Sequence, residues 1–326
     1  MSLPRFLSRT LLLLIALLGA ACATPAATST PRPSGRALAT TIPTPTTTAT
    51  RPPPTATATA IVSPTVTATP VPTATRCAGA GRVVAGTYAS ASAGAPQKVR
   101  IYLPPCYGAD GRVYPTLYLF AGNIHDERKW DELGMDEAAT AAIATEEIAP
   151  LLVVMADGGW MANNTSGGPG SFETVVLDDL IPFVESHTCS WPEPAGRAIG
   201  GLSRGGYWAL EIAFRFPTHF VSVGGHSAAL IDSYAGPAVN PQYTGLSNDL
   251  GDLRVYLDIG AGDYLIANMR RLHEEMAAAG VAHTWVLNEG KHEDAYWAGH
   301  VADYLAWYAA PWPLDRTAYP PCPLAP

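Results

Sequence analysis

The hexapeptide Gly201-Leu202-Ser203-Arg204-Gly205-Gly206 constrains this chain more than any other stretch. It follows the apolar run Arg197-Ala198-Ile199-Gly200 and leads into Tyr207-Trp208-Ala209-Leu210-Glu211-Ile212-Ala213-Phe214. That order is strand, tight turn, helix, with a serine at the turn. A G-x-S-x-G motif in this setting reads as a nucleophile elbow. The serine backbone must take a strained turn for its hydroxyl to project above the sheet. Glycines flank it because a side chain at 201 or 205 would collide with strand or helix. The helix behind it aims its N-terminal amides at a substrate, so the Arg204 N–H can bind a developing oxyanion.

Around the elbow the pattern alternates. Val83 to Ser90 and Lys98 to Leu103 predict a hairpin. Tyr114 to Ala121 and Leu151 to Ala156 are apolar runs of buried-strand length, separated by an Ala-rich helix over 136–148. A loop is expected over 157–171, then a helix over 173–187 that Pro182 should kink. Further strands are expected at 220–224, 254–259 and 284–287. Helices are expected over 265–279, stopped by Gly280, and over 295–308. Strands alternating with helices give an α/β protein, a mostly parallel central sheet with helices on both faces.

In an α/β-hydrolase, elbow serine, acid and histidine follow one another along the chain. Gly260-Ala261-Gly262-Asp263 ends the strand at 254–259, which makes Asp263 the candidate acid. Asp258 is its rival, but it lies inside the strand, where a buried, hydrogen-bonded role fits better. Asp263 could instead cap a helix. The loop Gly290-Lys291-His292-Glu293-Asp294 follows the last strand, so His292 is the candidate base. His226, at the end of a strand beside the elbow, is the other histidine to watch. A second oxyanion donor is expected after the strand ending at Ala121, with Asn123 first and Ile124 second.

The chain before Cys77 is of another kind. Arg5 and Arg9 precede the apolar run Leu11 to Leu18, which is too short to span a membrane at about 20 residues. Residues 1–23 therefore read as an export signal. Leu18-Gly19-Ala20-Ala21-Cys22 resembles a bacterial lipoprotein cleavage box with Cys22 as the lipidated residue. Cleavage near Ala21 or Ala23 to give a freely secreted protein is the alternative. Residues 24–76 hold 11 Pro and 18 Thr and no Asp, Glu or Lys. Such a segment cannot bury a core and reads as an extended stalk.

Residues 77–326 suit one domain. Six of the 20 basic residues precede it and none of the 28 acidic ones do, which leaves 14 basic residues against 28 acidic. That balance argues against nucleic acid, and leaves the membrane as a partner only through a lipid on Cys22. The domain has four cysteines, an even number that suggests two disulfides in an exported chain. Of the three connectivities, Cys77–Cys106 with Cys189–Cys322 is preferred. No C-x-x-C spacing suggests a metal site.

Together these pieces resemble the esterase family of α/β-hydrolases, which includes S-formylglutathione hydrolases, feruloyl and enterochelin esterases and the antigen 85 mycolyltransferases. The matching stretches are Val99-Arg100-Ile101-Tyr102-Leu103-Pro104-Pro105, Tyr114-Pro115-Thr116-Leu117-Tyr118-Leu119, Glu173-Thr174 leading to Asp179-Leu180-Ile181-Pro182, the elbow with Phe216-Pro217 and Phe220, and His292 with Tyr296-Trp297. Many members have His-Gly where this chain has Ala121-Gly122. The resemblance implies an α/β-hydrolase fold and a triad of Ser203, Asp263 and His292. It also implies oxyanion donors at Asn123 and Arg204, and no cofactor or metal. It further implies hydrolysis of a small-molecule or polysaccharide-linked ester, or, as in antigen 85, acyl transfer to a sugar or lipid alcohol. A third reading, of another class, is an inert binding module on a stalk.

Overall fold

The computed structural model describes residues 79–324. The expected signal and stalk, with Cys22 and Cys77, lie outside the described residues. Eight strands form one sheet: β1 (Arg82–Tyr88), β2 (Gln97–Leu103), β3 (Thr116–Phe120), β4 (Leu152–Ala156), β5 (Arg197–Leu202), β6 (Ser222–His226), β7 (Arg254–Gly260) and β8 (Thr284–Asn288). They lie side by side as β1-β2-β4-β3-β5-β6-β7-β8. β2 runs antiparallel to both β1 and β4, and the other pairings are parallel.

The sheet is covered on both faces, and the strand sequences show why. Along β3, Tyr118 and Phe120 enter one apolar core while Leu117 and Leu119 enter the other. Successive side chains of a strand point to opposite faces, so a doubly covered strand must be apolar throughout. The first core is closed by the elbow helix Arg204–Arg215 and the helix Ile266–Ala279. Met269, Leu272 and Met276 lie three and four residues apart on that second helix and are fully buried, each contributing roughly 1.5–3 kcal/mol. Gly280 ends the helix at φ 73°. The second core is closed by helices Met135–Ala144 and Asp294–Ala309.

The structure departs from the sequence pattern in three places. The helix expected over 173–187 runs without a gap from Phe172 to His187, but between Phe172–Thr174 and Ile181–His187 its middle, Val175–Leu180, is π-helical. Pro182 has no N–H, and its ring would strike the carbonyl of Asp178 in a continuous α-helix. The chain widens into the π-helical stretch just upstream. The loop expected over 157–171 contains a short helix, Gly159–Asn164. A helix over Pro241–Ser247 also appears, with Asn240 capping it by accepting from the Gln242 N–H at 3.0 Å. Cys189 and Cys322 are joined, Cα–Cα 5.3 Å, which pins the C-terminal segment to the body. Cys106 is also disulfide-bonded, and the expectation that Cys77 is its partner falls outside the described residues.

The elbow helix carries an unusual burden. Glu211 is fully buried on it. Its Oε1 accepts from Arg215 at 3.1 Å, but Arg215 is held more closely by Glu173, and Glu211 Oε2 has no hydrogen bond. Burial pushes the carboxyl from an ordinary value of 4.5 up to about 9. A folded-state pKa above the unfolded one means the folded chain keeps a proton that the unfolded chain releases. Stability is therefore lost as pH rises from 4.5 toward about 9. Glu211→Gln removes that titration. Its melting temperature should fall less than that of the wild type between pH 6 and pH 9, as thermal denaturation would show; parallel curves would place the ionised carboxylate comfortably in its site.

Candidate active site

The strand order itself selects a place for a site. The chain leaves β3 for β4 on one side, then crosses back to β5 on the other. A crevice opens at the carboxyl ends of strands where the direction of winding reverses. The segment after β3 begins Ala121-Gly122-Asn123, and the residue after β5 is Ser203. Phe120 and Gly201 are opposite one another in the β3–β5 register, so the two segments emerge side by side.

Ser203 sits between strand and helix at φ 54°, ψ −118°, a conformation costing on the order of 1–3 kcal/mol. Backbone hydrogen bonds hold it there. Its N–H donates to His226 O at 2.9 Å, and its carbonyl accepts from Ala229 at 2.9 Å and Tyr207 at 3.1 Å. The flanking glycines are required by close approach. A Cβ on Gly201 would lie 2.4 Å from the Gly205 carbonyl carbon, and one on Gly205 would lie 2.2 Å from Phe120 O.

The elbow turns the Ser203 hydroxyl toward His292. Ser203 Oγ and His292 Nε2 are 2.9 Å apart, and His292 Nδ1 is 2.9 Å from Asp263 Oδ2. Asp263 is 2% exposed, and its other oxygen accepts from the Leu265 N–H at 2.8 Å. The carboxylate thus holds the turn ahead of the following helix while it meets the imidazole; the helix itself is capped at Leu265 without a side-chain bond. Tyr264 and Trp297 flank the His292 ring at 4.7 and 4.9 Å between centroids, Trp297 edge-on at 86°. Such an arrangement can take a proton from the hydroxyl and hold the resulting imidazolium.

Asp258 and His226 lie elsewhere. Both are fully buried, with His226 Nδ1 2.6 Å from Asp258 Oδ1 and His226 Nε2 3.0 Å from Tyr308 Oη. The hydroxyls of Tyr296 and Tyr304 donate to Asp258 Oδ2 at 2.9 and 2.8 Å. Burial, then the nearby Asp258, pushes both hydroxyls far above their ordinary range, so they remain donors. A Cβ on Gly200 or Gly224 would meet Tyr308 Oη at 1.9 Å, which explains two glycines in adjacent central strands. This network packs beneath the elbow and makes no hydrogen bond to the Ser203 hydroxyl.

Two amides face the possibility of an oxyanion. The Arg204 N–H is at the first turn of its helix, where no intrahelical acceptor exists. Its guanidinium turns away, lying 4.6 Å from the Tyr207 ring centre and 4.2 Å from that of Tyr234 and donating to Ala162 O at 3.0 Å. On the other side, the His125 N–H donates to Gly122 O at 3.2 Å and closes a turn. Ile124 occupies its third position at φ 65°, a place usually given to glycine. The Asn123 and Ile124 amides make no backbone hydrogen bond among the described residues. Gly122, Asn123, Ile124, His125, Ser203 and His292 line a cavity of about 360 Å³. Tyr264 and Trp297 line it too. Trp130 and Tyr207 are core, and Trp160 is exposed.

A strained serine on this switch point, linked through an imidazole to a carboxylate two strands further on, marks the chain as an α/β-hydrolase. Comparison with known proteins narrows the class: the chain belongs to the Esterase family, whose model, described as "Putative esterase", matches residues 90–308. It is 35% identical over 172 residues to an esterase of Mycobacterium tuberculosis strain H37Rv, covering 50% of this chain and 34% of that protein. It is 34% identical over 149 residues to an endo-1,4-beta-xylanase/feruloyl esterase of Xylanibacter ruminicola, covering 41% of this chain and 20% of that protein. The chain thus spans 34% and 20% of the length of these two relatives. Among solved structures, a ferulic acid esterase superposes with a TM-score of 0.66 at 21% identity, covering 72% of this chain and 100% of that one. An S-formylglutathione hydrolase from Staphylococcus aureus superposes at 0.61 with 16% identity, covering 71% and 100%. These likenesses establish the fold.

Proposed function

We propose that the protein is a carboxylic ester hydrolase that works through an acyl-enzyme on Ser203. The observation that carries this reading is the continuous hydrogen-bonded line from Ser203 Oγ through His292 to Asp263, opening on the cavity. Ser203 Oγ attacks the ester carbonyl carbon while His292 Nε2 takes its proton. Asp263 holds the imidazole in the tautomer that can accept it and stabilises the charged ring. The carbonyl oxygen becomes an oxyanion received by the amides of Arg204 and Asn123. Collapse breaks the bond to the alcohol oxygen, which leaves with the proton from His292. Water then repeats the cycle on the acyl-enzyme, releases the acid and restores Ser203. Small-molecule or polysaccharide-linked esters are the substrate class. Feruloyl esters belong among the first tested, because relatives bearing that name share the family and the fold.

The test is to treat the protein with a fluorophosphonate probe and to assay a p-nitrophenyl ester chain-length series beside feruloyl esters. Turnover of at least one ester and a single adduct on the peptide bearing Ser203 are expected. No turnover and no adduct would leave an inert module.

We also propose that the domain is exported and held at the cell surface by a lipid on Cys22. The short apolar run ahead of it and the charge-poor Pro/Thr segment after it support this. A diacylglyceryl group supplies two chains, enough for stable anchoring where one is marginal. In a bacterial host the wild type should incorporate labelled fatty acid and sediment with membranes, and Cys22→Ser should not. Equal release of both, unlabelled, would make it a freely secreted protein.

A further inference from the structure

The site contains a second imidazole that the mechanism above leaves idle. His125 lines the same cavity as Ser203 and His292. Its position follows from the turn it closes. Ile124 at φ 65° throws its own side chain outward, 89% exposed, and the next residue is turned back over Gly122. A Cβ placed on Gly122 would lie 3.2 Å from His125 Nδ1 and 3.2 Å from Ser203 Cβ. Imidazole and nucleophile therefore flank the same small volume. An exposed β-branched residue in a left-handed conformation brings no packing gain to offset its strain of roughly 1–2 kcal/mol. Strain of that kind at a cavity rim is what a functional constraint looks like.

The ring's own bonding says which way its proton faces. His125 Nδ1 is buried and makes no hydrogen bond. Nε2 also has no partner among the described residues, yet is not among the buried unpaired atoms, so it is the accessible nitrogen of a ring that lines the cavity. Burial, followed by the nearby Lys129, lowers the pKa of the ring, against smaller opposing effects from Asp294, Glu132 and Asp126. A neutral imidazole carries one N–H. On Nδ1 that N–H would be an orphaned buried donor, which costs about 1–3 kcal/mol. On Nε2 it is accessible, on a ring that borders the cavity beside Ser203.

We propose that His125 is a catalytic residue for the ester hydrolysis proposed above, its Nε2–H donating a hydrogen bond to the carbonyl oxygen of the ester as that oxygen becomes an oxyanion. No proton is transferred; His125 joins the amides of Asn123 and Arg204 as a third donor. The inference rests on the ester-hydrolase reading and adds to it a side-chain donor on the loop after β3, where the chain lacks the His-Gly pair common in the family.

The experiment compares wild type, His125→Phe and His125→Gln. Phenylalanine keeps the ring's bulk without a donor, and glutamine can bring an amide N–H close to the Nε2 position. Initial rates would be measured with p-nitrophenyl and phenyl acetate, and melting temperatures recorded for all three. A donor used in the transition state is expected to show as a loss in kcat of on the order of 10- to 100-fold in His125→Phe with KM little changed. The loss should be the same for both leaving groups and partly restored in His125→Gln. Three outcomes would overturn the proposal: kcat of His125→Phe within twofold of wild type, glutamine no better than phenylalanine, or a loss much larger for phenyl than for p-nitrophenyl acetate. The last would place the donor on the alcohol oxygen. A wild type inactive on every ester would sink the ester-hydrolase reading itself, and His125 with it; an active wild type with an unaffected His125→Phe would sink only this proposal.

Discussion

Ser203→Ala is expected to lower kcat/KM for p-nitrophenyl esters by on the order of 10³-fold or more and to abolish the fluorophosphonate adduct. The fold should survive. Alanine accepts the φ of 54° no worse than serine does, and the hydrogen bonds that hold the elbow run through the backbone. Only the 2.9 Å bond from Oγ to His292 is lost, worth about 1 kcal/mol. The melting temperature should then stay within about 4 °C of the wild type. Activity within tenfold of wild type in a folded variant would remove Ser203 as nucleophile. A large loss accompanied by unfolding would say nothing about chemistry, which is why the two measurements belong together.

The elbow was legible because steric need and chemistry coincide in five residues. Gly201 and Gly205 are there for want of space, and the serine between them has only one use for such a turn. The strands were legible because a doubly covered sheet writes itself as unbroken apolar runs, as in Leu117 to Phe120. His292 and Asp263 could be placed because loops after parallel strands gather at one edge. What escaped depended on contacts between distant segments. The helix at Gly159–Asn164 is short, contains two asparagines, and is fastened by Arg204 and Trp208 reaching Ala162 O, which no local pattern reveals. The helix at Pro241–Ser247 did have a signal, an asparagine cap followed by proline at the first helical position, but only seven residues of it. The π stretch at 175–180 follows from where Pro182 falls, yet the sequence alone does not say whether a chain bends or widens there. His125 carries no local signal, because its place depends on the turn at Ile124, and a β-branched residue gives no hint of a positive φ.

The two buried aspartates near the sheet's carboxyl edge should separate cleanly under the same substitution. Asp263→Asn keeps an oxygen for the Leu265 N–H, so the turn ahead of the helix is preserved. The amide group facing His292 Nδ1 would favour the tautomer with its proton on Nε2, which cannot take one from Ser203. A loss in kcat of on the order of 10⁴ is expected from that cause, with little change in melting temperature. Asp258→Asn acts the other way. Its carboxylate accepts from the Tyr296 and Tyr304 hydroxyls and meets His226 Nδ1. An amide in that place turns one accepting oxygen into a donor among donors, and each buried bond left unmade costs about 1–3 kcal/mol. The melting temperature should drop by several degrees, at roughly 2–4 °C per kcal/mol for a domain of this size. Turnover per folded molecule should change far less than in Asp263→Asn, because among the described residues the network makes no side-chain hydrogen bond to Ser203, His292 or Asp263 and is bonded to the elbow through the backbone, from the Ser203 N–H to His226 O. Steady-state kinetics and thermal denaturation of the two variants decide the matter. If Asp258→Asn is the catalytically dead, stable protein and Asp263→Asn the active, unstable one, the carboxylate that serves His292 is Asp258, and Asp263 only holds the turn ahead of the helix through its 2.8 Å bond from the Leu265 N–H.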